Sequence, residues 1–188
     1  MDNLLKLVYT LGKNMHHEIT LRQLSIDAKV PYTTTHRTIT QNKSLFLINQ
    51  KGNIKLCSLN KSDPITKNYL ILSERAQANK FKDKNPQFKV LMRKLPKEDY
   101  TLILFGSRAD ETHRKKSDID LCIINKDGKK KVSFSQFELL FKLEINPLFF
   151  TKKEFKTMVR EQEHNVAKEI LKKHIILYGE EYFWNLIW

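Results

Sequence analysis

Apolar residues change their spacing along this chain, and the changes divide it into three stretches. Over the first sixty residues the period is helical. Leu4, Leu5, Val8 and Leu11 line one face behind Asp2, an N-cap residue, and Gly12 predicts where that helix ends. Thr20-x-x-Gln23 is a capping-box pattern that opens a short helix reaching Ala28. Lys29-Val30-Pro31 predicts a turn, and residues 32–42 a third helix with Ile39 facing inward. Two apolar runs, 45–48 and 54–57, flank the polar, glycine-containing stretch 49–53 and predict a β-hairpin.

The second stretch is helical and strongly basic. Ser62-Asp63-Pro64 is a helix-start signal, followed by a helix to about Lys84 that carries Tyr69, Leu70, Leu72, Ala76 and Phe81. Asn85-Pro86 breaks it, and a second piece spans 88–95. Without Gly or Ser runs, 61–96 reads as a helical connector rather than a flexible linker.

From Tyr100 the pattern becomes that of strands. Residues 100–105 form a nearly continuous apolar run that stops at Gly106, and 119–124 form a second. A helix is predicted over 133–140, and 141–146 alternates as a third strand. Thr151-x-x-Glu154 opens a long helix to about His174, and 175–179 is a short buried run. The tail 182–188 is too apolar to stand in water, so it packs on its own domain or across a dimer interface. The expected class is α/β (α+β), in three parts: 1–60, 61–96 and 97–188.

Charge adds a partner to this picture. The chain carries 34 Lys and Arg against 21 Asp and Glu, a net +13. Protein this basic is built to meet a polyanion. Eight basic and three acidic residues fall in 1–60, nine and three in 61–96, but seventeen and fifteen in 97–188. Cys57 and Cys122 have no metal-ligand spacing around them and read as reduced thiols of a cytoplasmic protein. The chain opens on no cationic segment followed by an apolar run, and no stretch approaches bilayer-spanning length, so no membrane partner is expected.

The chemistry concentrates in Leu104-Phe105-Gly106-Ser107-Arg108 and Ser117-Asp118-Ile119-Asp120-Leu121. A Gly-Ser turn closing an apolar strand brings backbone N–H groups against phosphate oxygens. Carboxylates at i and i+2 on a strand point to one side. Two such acids repel unless a cation lies between them, and Mg²⁺ bridging a nucleoside triphosphate is the usual solution.

Gly106-Ser107, ten intervening residues, then Asp118-Ile119-Asp120 resembles the signature of the DNA polymerase beta-type nucleotidyltransferase superfamily. Within it the last half of the chain resembles the minimal nucleotidyltransferases of prokaryotes. The resemblance implies two Mg²⁺ ions on Asp118 and Asp120, with ATP or another nucleoside triphosphate as substrate. It implies Gly106, Ser107, Arg108 and Ser117 toward the nucleotide. Arg114, Lys115 and Lys116 are further triphosphate candidates, against the reading that this basic loop balances the charge of the two acids. Family members complete the site with a third carboxylate from a neighbouring strand, and Glu144 is the candidate here. The implied activity is transfer of a nucleoside monophosphate, AMP in the first instance, to a hydroxyl of a protein or nucleic acid. Similar small domains act as antitoxins on a cognate toxin.

Helix, helix-turn-helix and hairpin, in that order, resemble a winged helix-turn-helix module. Its third helix offers Thr33, Thr34, Thr35, His36, Arg37, Thr38 and Gln41 to DNA, with Lys43, Lys51 and Lys55 at the helix end and wing. Such modules pair to match repeated half-sites, so a homodimer is expected. The alternative is a DNA-binding regulator whose nucleotide pocket binds without reacting.

Overall fold

The computed structural model describes residues 1–15, 17–96, 99–110, 117–129 and 133–188. The chain forms two compact units, residues 1–76 with Trp188, and residues 77–187. The division falls inside one long helix.

In the first unit, α1 (Asn3–Lys13), α2 (Leu21–Asp27) and α3 (Tyr32–Gln41) pack with strands β1 (Ile19–Thr20), β2 (Phe46–Lys51) and β3 (Ile54–Leu59). As expected, α1 ends near Gly12, at Lys13. The bare Cα of Gly12 makes room for the side chain of Leu70, which a Cβ there would strike. Thr20 starts α2 by accepting from the Gln23 N–H at 3.0 Å. The predicted hairpin is tighter than its polar tip suggested. Its strands stay paired to Lys51 and Ile54, so only Gly52 and Asn53 turn the chain. A third strand, β1, pairs with β3 on the other side, giving the antiparallel order β1-β3-β2. Leu7, Val8, Leu11, Leu24, Ile39 and Leu45 are buried in this unit.

The connecting helix α4 (Pro64–Lys84) begins where Asp63 accepts from the Ile65 N–H at 2.9 Å, and α5 (Pro86–Lys94) restarts after Asn85. The second unit then holds β4 (Thr101–Phe105), α6 (Gly106–Ala109), β5 (Ile119–Asn125), α7 (Ser135–Phe141), β6 (Ile145–Thr151), α8 (Lys152–Arg160), α9 (Val166–Lys172), β7 (Ile175–Tyr178) and α10 (Glu180–Ile187). Its sheet has the order β6-β5-β4-β7, with β5 and β6 parallel and the other pairs antiparallel. On one face Leu102, Leu104, Leu121 and Ile123 join Phe81, Phe88, Leu91 and Phe137 in the core. Helices α8 and α10 approach β5 and β4 as well. Burial on both faces is why β4 and β5 read as continuous apolar runs rather than as alternation.

Two expectations about this unit are corrected. The strand placed at 141–146 begins only at Ile145, because α7 continues through Phe141 and Lys142 turns the chain in the left-handed region (φ 52°). Glu138 caps the new strand, its Oε1 accepting from the Ile145 N–H at 3.0 Å. The helix expected over 151–174 is two helices. Asn165 breaks it, capping α9 through the Lys168 N–H while its own amide donates to the Met158 carbonyl. The Thr151–Glu154 capping box is present as predicted. The aromatic tail forms α10, where Phe183 and Trp184 are fully buried and Phe183 meets Phe155 edge to face, with the His174 ring tilted beside it.

Candidate nucleotide and metal site

The site is built at one end of the second sheet. β4 gives way directly to α6 at Gly106, whose φ of +69° makes the sharp bend that L side chains resist. The β4–β5 register sets Phe105 opposite Asp120, so the acid lies beside that bend. The approach is close: a Cβ on Gly106 would overlap the Asp120 carboxylate, with Cγ only 3.1 Å away. Ile119 and Leu121 belong to the apolar core, and alternation turns Asp120 between them away from it. Asp118 lies two residues earlier, exposed, just ahead of β5.

Arg108 was expected to face phosphate and does something else. It is only 5% exposed, and its Nε donates to the carbonyls of Ser117 and Asp118 at 3.0 Å each. A terminal nitrogen donates to Ser117 as well. The guanidinium is thus a clasp that fixes the approach to Asp118, and Ser117 takes part through its backbone carbonyl. Burial lowers the Arg108 pKa, while Asp118 and Asp120 oppose that shift. Ser107 is half-buried in the first turn of α6. Arg114, Lys115 and Lys116 lie outside the described residues.

Glu144 does not join the two aspartates. Among the described residues no three His, Cys, Asp or Glu side chains form a metal-holding group. Glu144 precedes β6, its carbonyl accepts from the Ile119 N–H at 2.8 Å, and it lines a separate hollow with Ser135, Glu138 and Leu139. The residue beside the acids is Asn146. Parallel pairing of β5 with β6 sets it against Asp120, and its amide donates to Asp118 Oδ2 at 3.4 Å. The signal was available in the sequence, since Asn146 shares the alternation of Glu144. Starting the strand too early hid it.

A cavity of about 480 Å³ opens at this end, lined by Phe105, Gly106, Asp110, Asp120, Glu169, Lys172 and Lys173. That volume is within the range of small-ligand sites. Lys173 forms an ion pair with Asp110, tying the end of α9 to the end of α6. No sequence signal ties these lysines to the site, because they come more than fifty residues after Asp120 and reach it only through the fold.

The electrostatics favour a cation. Burial raises the Asp120 pKa, the neighbouring Asp118 raises it further, and only the Asn146 hydrogen bond and Arg108 oppose this. Two carboxylates face one guanidinium, so Arg108 compensates the pair only in part and a net negative charge remains. Hard oxygen donors with that charge fit a divalent ion such as Mg²⁺, which Asp118 and Asp120 would hold.

In the first unit the face that α3 exposes comprises Thr33, His36, Arg37, Thr40 and Gln41, with Thr34 half-buried. Thr35 is corrected from the expected contact set: it is fully buried and donates to the Val30 carbonyl at 3.4 Å. Lys43, Lys51 and Lys55 are exposed, Lys51 lying 3.9 Å from Glu18.

Residues 92–182 match the family described as Polymerase beta, Nucleotidyltransferase. The matched segment begins in α5 and ends in α10, so it contains the whole four-stranded sheet and the site at its end. The match supports a nucleotidyltransferase domain of that superfamily, and with it a transferase-type function. No curated protein matches the chain, and no solved structure does. Among the described residues no helix is long and apolar enough to cross a membrane.

Proposed function

We propose that the second unit is a Mg²⁺-dependent nucleotidyltransferase that moves a nucleoside monophosphate, AMP from ATP in the first instance, to a hydroxyl on a protein or nucleic acid. The observation that carries the reading is the contact of the Gly106 bend with Asp120, which brings a phosphate-cradling turn and a metal-binding acid into one cavity. Bound divalent ions supply charge neutralisation on the phosphates and lower the pKa of the attacking hydroxyl. Gly106 and Ser107 receive the triphosphate. Asp118 and Asp120 would hold the ions, with Arg108 fixing the backbone of Asp118. Lys172 offers positive charge at the cavity wall, where Lys173 is paired with Asp110. The acceptor oxygen forms a bond to the α-phosphorus while the bond to the bridging oxygen breaks, and pyrophosphate leaves with that electron pair. The hydroxyl proton passes to solvent.

The acceptor is macromolecular on this reading, and a cognate toxin is the protein candidate. The setting is cytoplasmic, consistent with two buried free thiols at Cys57 and Cys122. Incubating the full chain with α-labelled ATP, Mg²⁺ and lysate is expected to label an acceptor and release pyrophosphate. Absence of Mg²⁺-dependent nucleotide binding overturns the proposal.

The first unit would bind DNA, as a homodimer, through the exposed face of α3 and Lys51 of the hairpin. Arg37→Ala and Lys51→Ala are each expected to weaken binding and to lower the slope of log affinity against log salt by about one. A slope near zero in the unsubstituted chain would make this unit a protein adaptor. The second reading, a regulator that binds nucleotide without transfer, is favoured by Asn146, an amide where the resemblance implies a carboxylate. Nucleotide-dependent DNA binding with no label transfer would establish it.

A further inference from the structure

The sheet of the first unit ends on β2, which is paired on one side only. Such an edge offers a row of unpaired N–H and C=O groups to another chain. The two-residue turn makes Lys51 and Ile54 a hydrogen-bonded pair, and alternation carries the pattern back through Asn49 to Leu47. The Asn60 N–H, donating to the Leu45 carbonyl at 2.9 Å, continues the same phase beyond the strand. The intervening residues Phe46, Ile48 and Gln50 therefore turn their backbone groups outward. Among the described residues no backbone hydrogen bond takes those groups up.

Edges that must not pair carry charge, proline or a bulge. Residues 46–50 have none of these, and Leu47 and Ile48 are 47% and 42% exposed. The edge also fits itself. With Ile48 opposite the second copy's Ile48, Phe46 meets the second copy's Gln50 and Gln50 its Phe46, so all three outward residues fall in hydrogen-bonding phase. The one charge of the strand, Lys51, then lies roughly 20 Å from its copy, six residues along, and salt screens the repulsion. Ile48 shares the face of Phe46, Cys57 and Leu59, all buried, so the facing isoleucines extend that core. We infer that two copies of the chain join through the outward edge of β2, Ile48 against Ile48 across a two-fold axis, into one continuous antiparallel sheet. The inference deepens the homodimer proposed for the first unit and rests on it. A single strand edge buries less than the roughly 1,200 Å² of stable complexes, so the dimer dissociates on dilution.

Ile48→Pro removes an outward N–H and keeps every β2–β3 hydrogen bond, since proline is tolerated where an edge N–H faces solvent. Ile48→Lys sets two like charges opposite one another. Sedimentation equilibrium of the full chain over a range of concentrations is expected to show a reversible dimer. Either substitution is expected to weaken it at least about tenfold, with two hydrogen bonds or a like-charge pair at stake. Ile48→Cys reads the register without disturbing the edge. Hydrogen-bonded pairs hold their Cα atoms about 5.5 Å apart, within a disulfide's reach, so mild oxidation is expected to link this variant into dimers. Leu47→Cys would lie diagonal to its copy at about 7–8 Å and is expected to stay unlinked. Cys57 and Cys122 are buried and take no part. Should Ile48→Pro not fold, the lysine and cysteine substitutions carry the test. A dimer that the Ile48 variants leave intact, or cross-linking at position 47 rather than 48, overturns the inference and leaves the homodimer standing. A chain that stays monomeric at every concentration overturns the homodimer itself, a result distinguishable from the others.

Discussion

Asp120→Asn is expected to lower nucleotidyl transfer by more than about a hundredfold, beyond the 10–100-fold that outer-shell metal partners command, while leaving the protein at least as stable. The two halves of this expectation have one cause. Asp120 is partly buried and neighbours Asp118, and both effects raise its pKa, so the fold disfavours its ionised form. The Asn146 hydrogen bond and the Arg108 guanidinium oppose that rise without cancelling it. Asparagine has the same shape and no charge, so it relieves that penalty, and the ion-free protein gains or holds its melting temperature. The cost falls on the metal, which loses a direct ligand. Asp118→Asn is expected to act in the same direction on transfer with a smaller effect on stability, because Asp118 is exposed. Label transfer and thermal melts with and without Mg²⁺ check both halves. A variant that loses transfer together with its fold would mark Asp120 as structural, and a variant that keeps transfer would remove it from the mechanism.

That trade of stability for function also explains which parts of the site were legible in the sequence. The Gly-Ser bend and the Asp-x-Asp pair declare themselves because each interrupts an apolar run, and a charged or turn-forming break in such a run needs a reason. The third position was misread for a local cause. Residues 141–146 alternate as a strand would, yet Lys142 adopts a left-handed conformation and keeps 142–144 out of the sheet. Nothing in a lysine's side chain announces a positive φ. The break at 161–165 was hidden for a similar reason. It contains no Gly or Pro, and Asn165 ends one helix and caps the next through hydrogen bonds that depend on the finished backbone. Arg108 looked like a phosphate ligand because an arginine after Gly-Ser is placed near the bend in sequence. Only the fold shows its Nε and one terminal nitrogen donating to the chain that precedes Asp120. Lys172 and Lys173 reach the cavity through the placement of α9, which no local pattern encodes.

Gly106→Ala should lose Mg²⁺-dependent nucleotide binding without replacing any charged group. Two separate costs fall on the substitution. A left-handed φ costs an L residue roughly 1–2 kcal/mol, and at +69° Gly106 sits in that region. The added Cβ would also overlap the Asp120 carboxylate, with Cγ at 3.1 Å. Strand pairing with Phe105 and Asn146 holds the Asp120 main chain, so the adjustment falls on its carboxylate or on the bend. Relief therefore requires the bend to open or the carboxylate to swing aside, and either movement separates the phosphate cradle from the metal ligand. Gly52→Ala is the matched control. Its φ is +59° with open space around the position, so it carries the strain alone and lies in the other unit. Both variants are expected to melt a few degrees lower, at roughly 2–4 °C per kcal/mol for a chain of this size. Only Gly106→Ala is expected to lose Mg²⁺-dependent nucleotide binding. Equilibrium binding of a labelled triphosphate to both variants separates the two costs. Equal binding by Gly106→Ala and Gly52→Ala would show that the bend and the acid do not act on the same ligand.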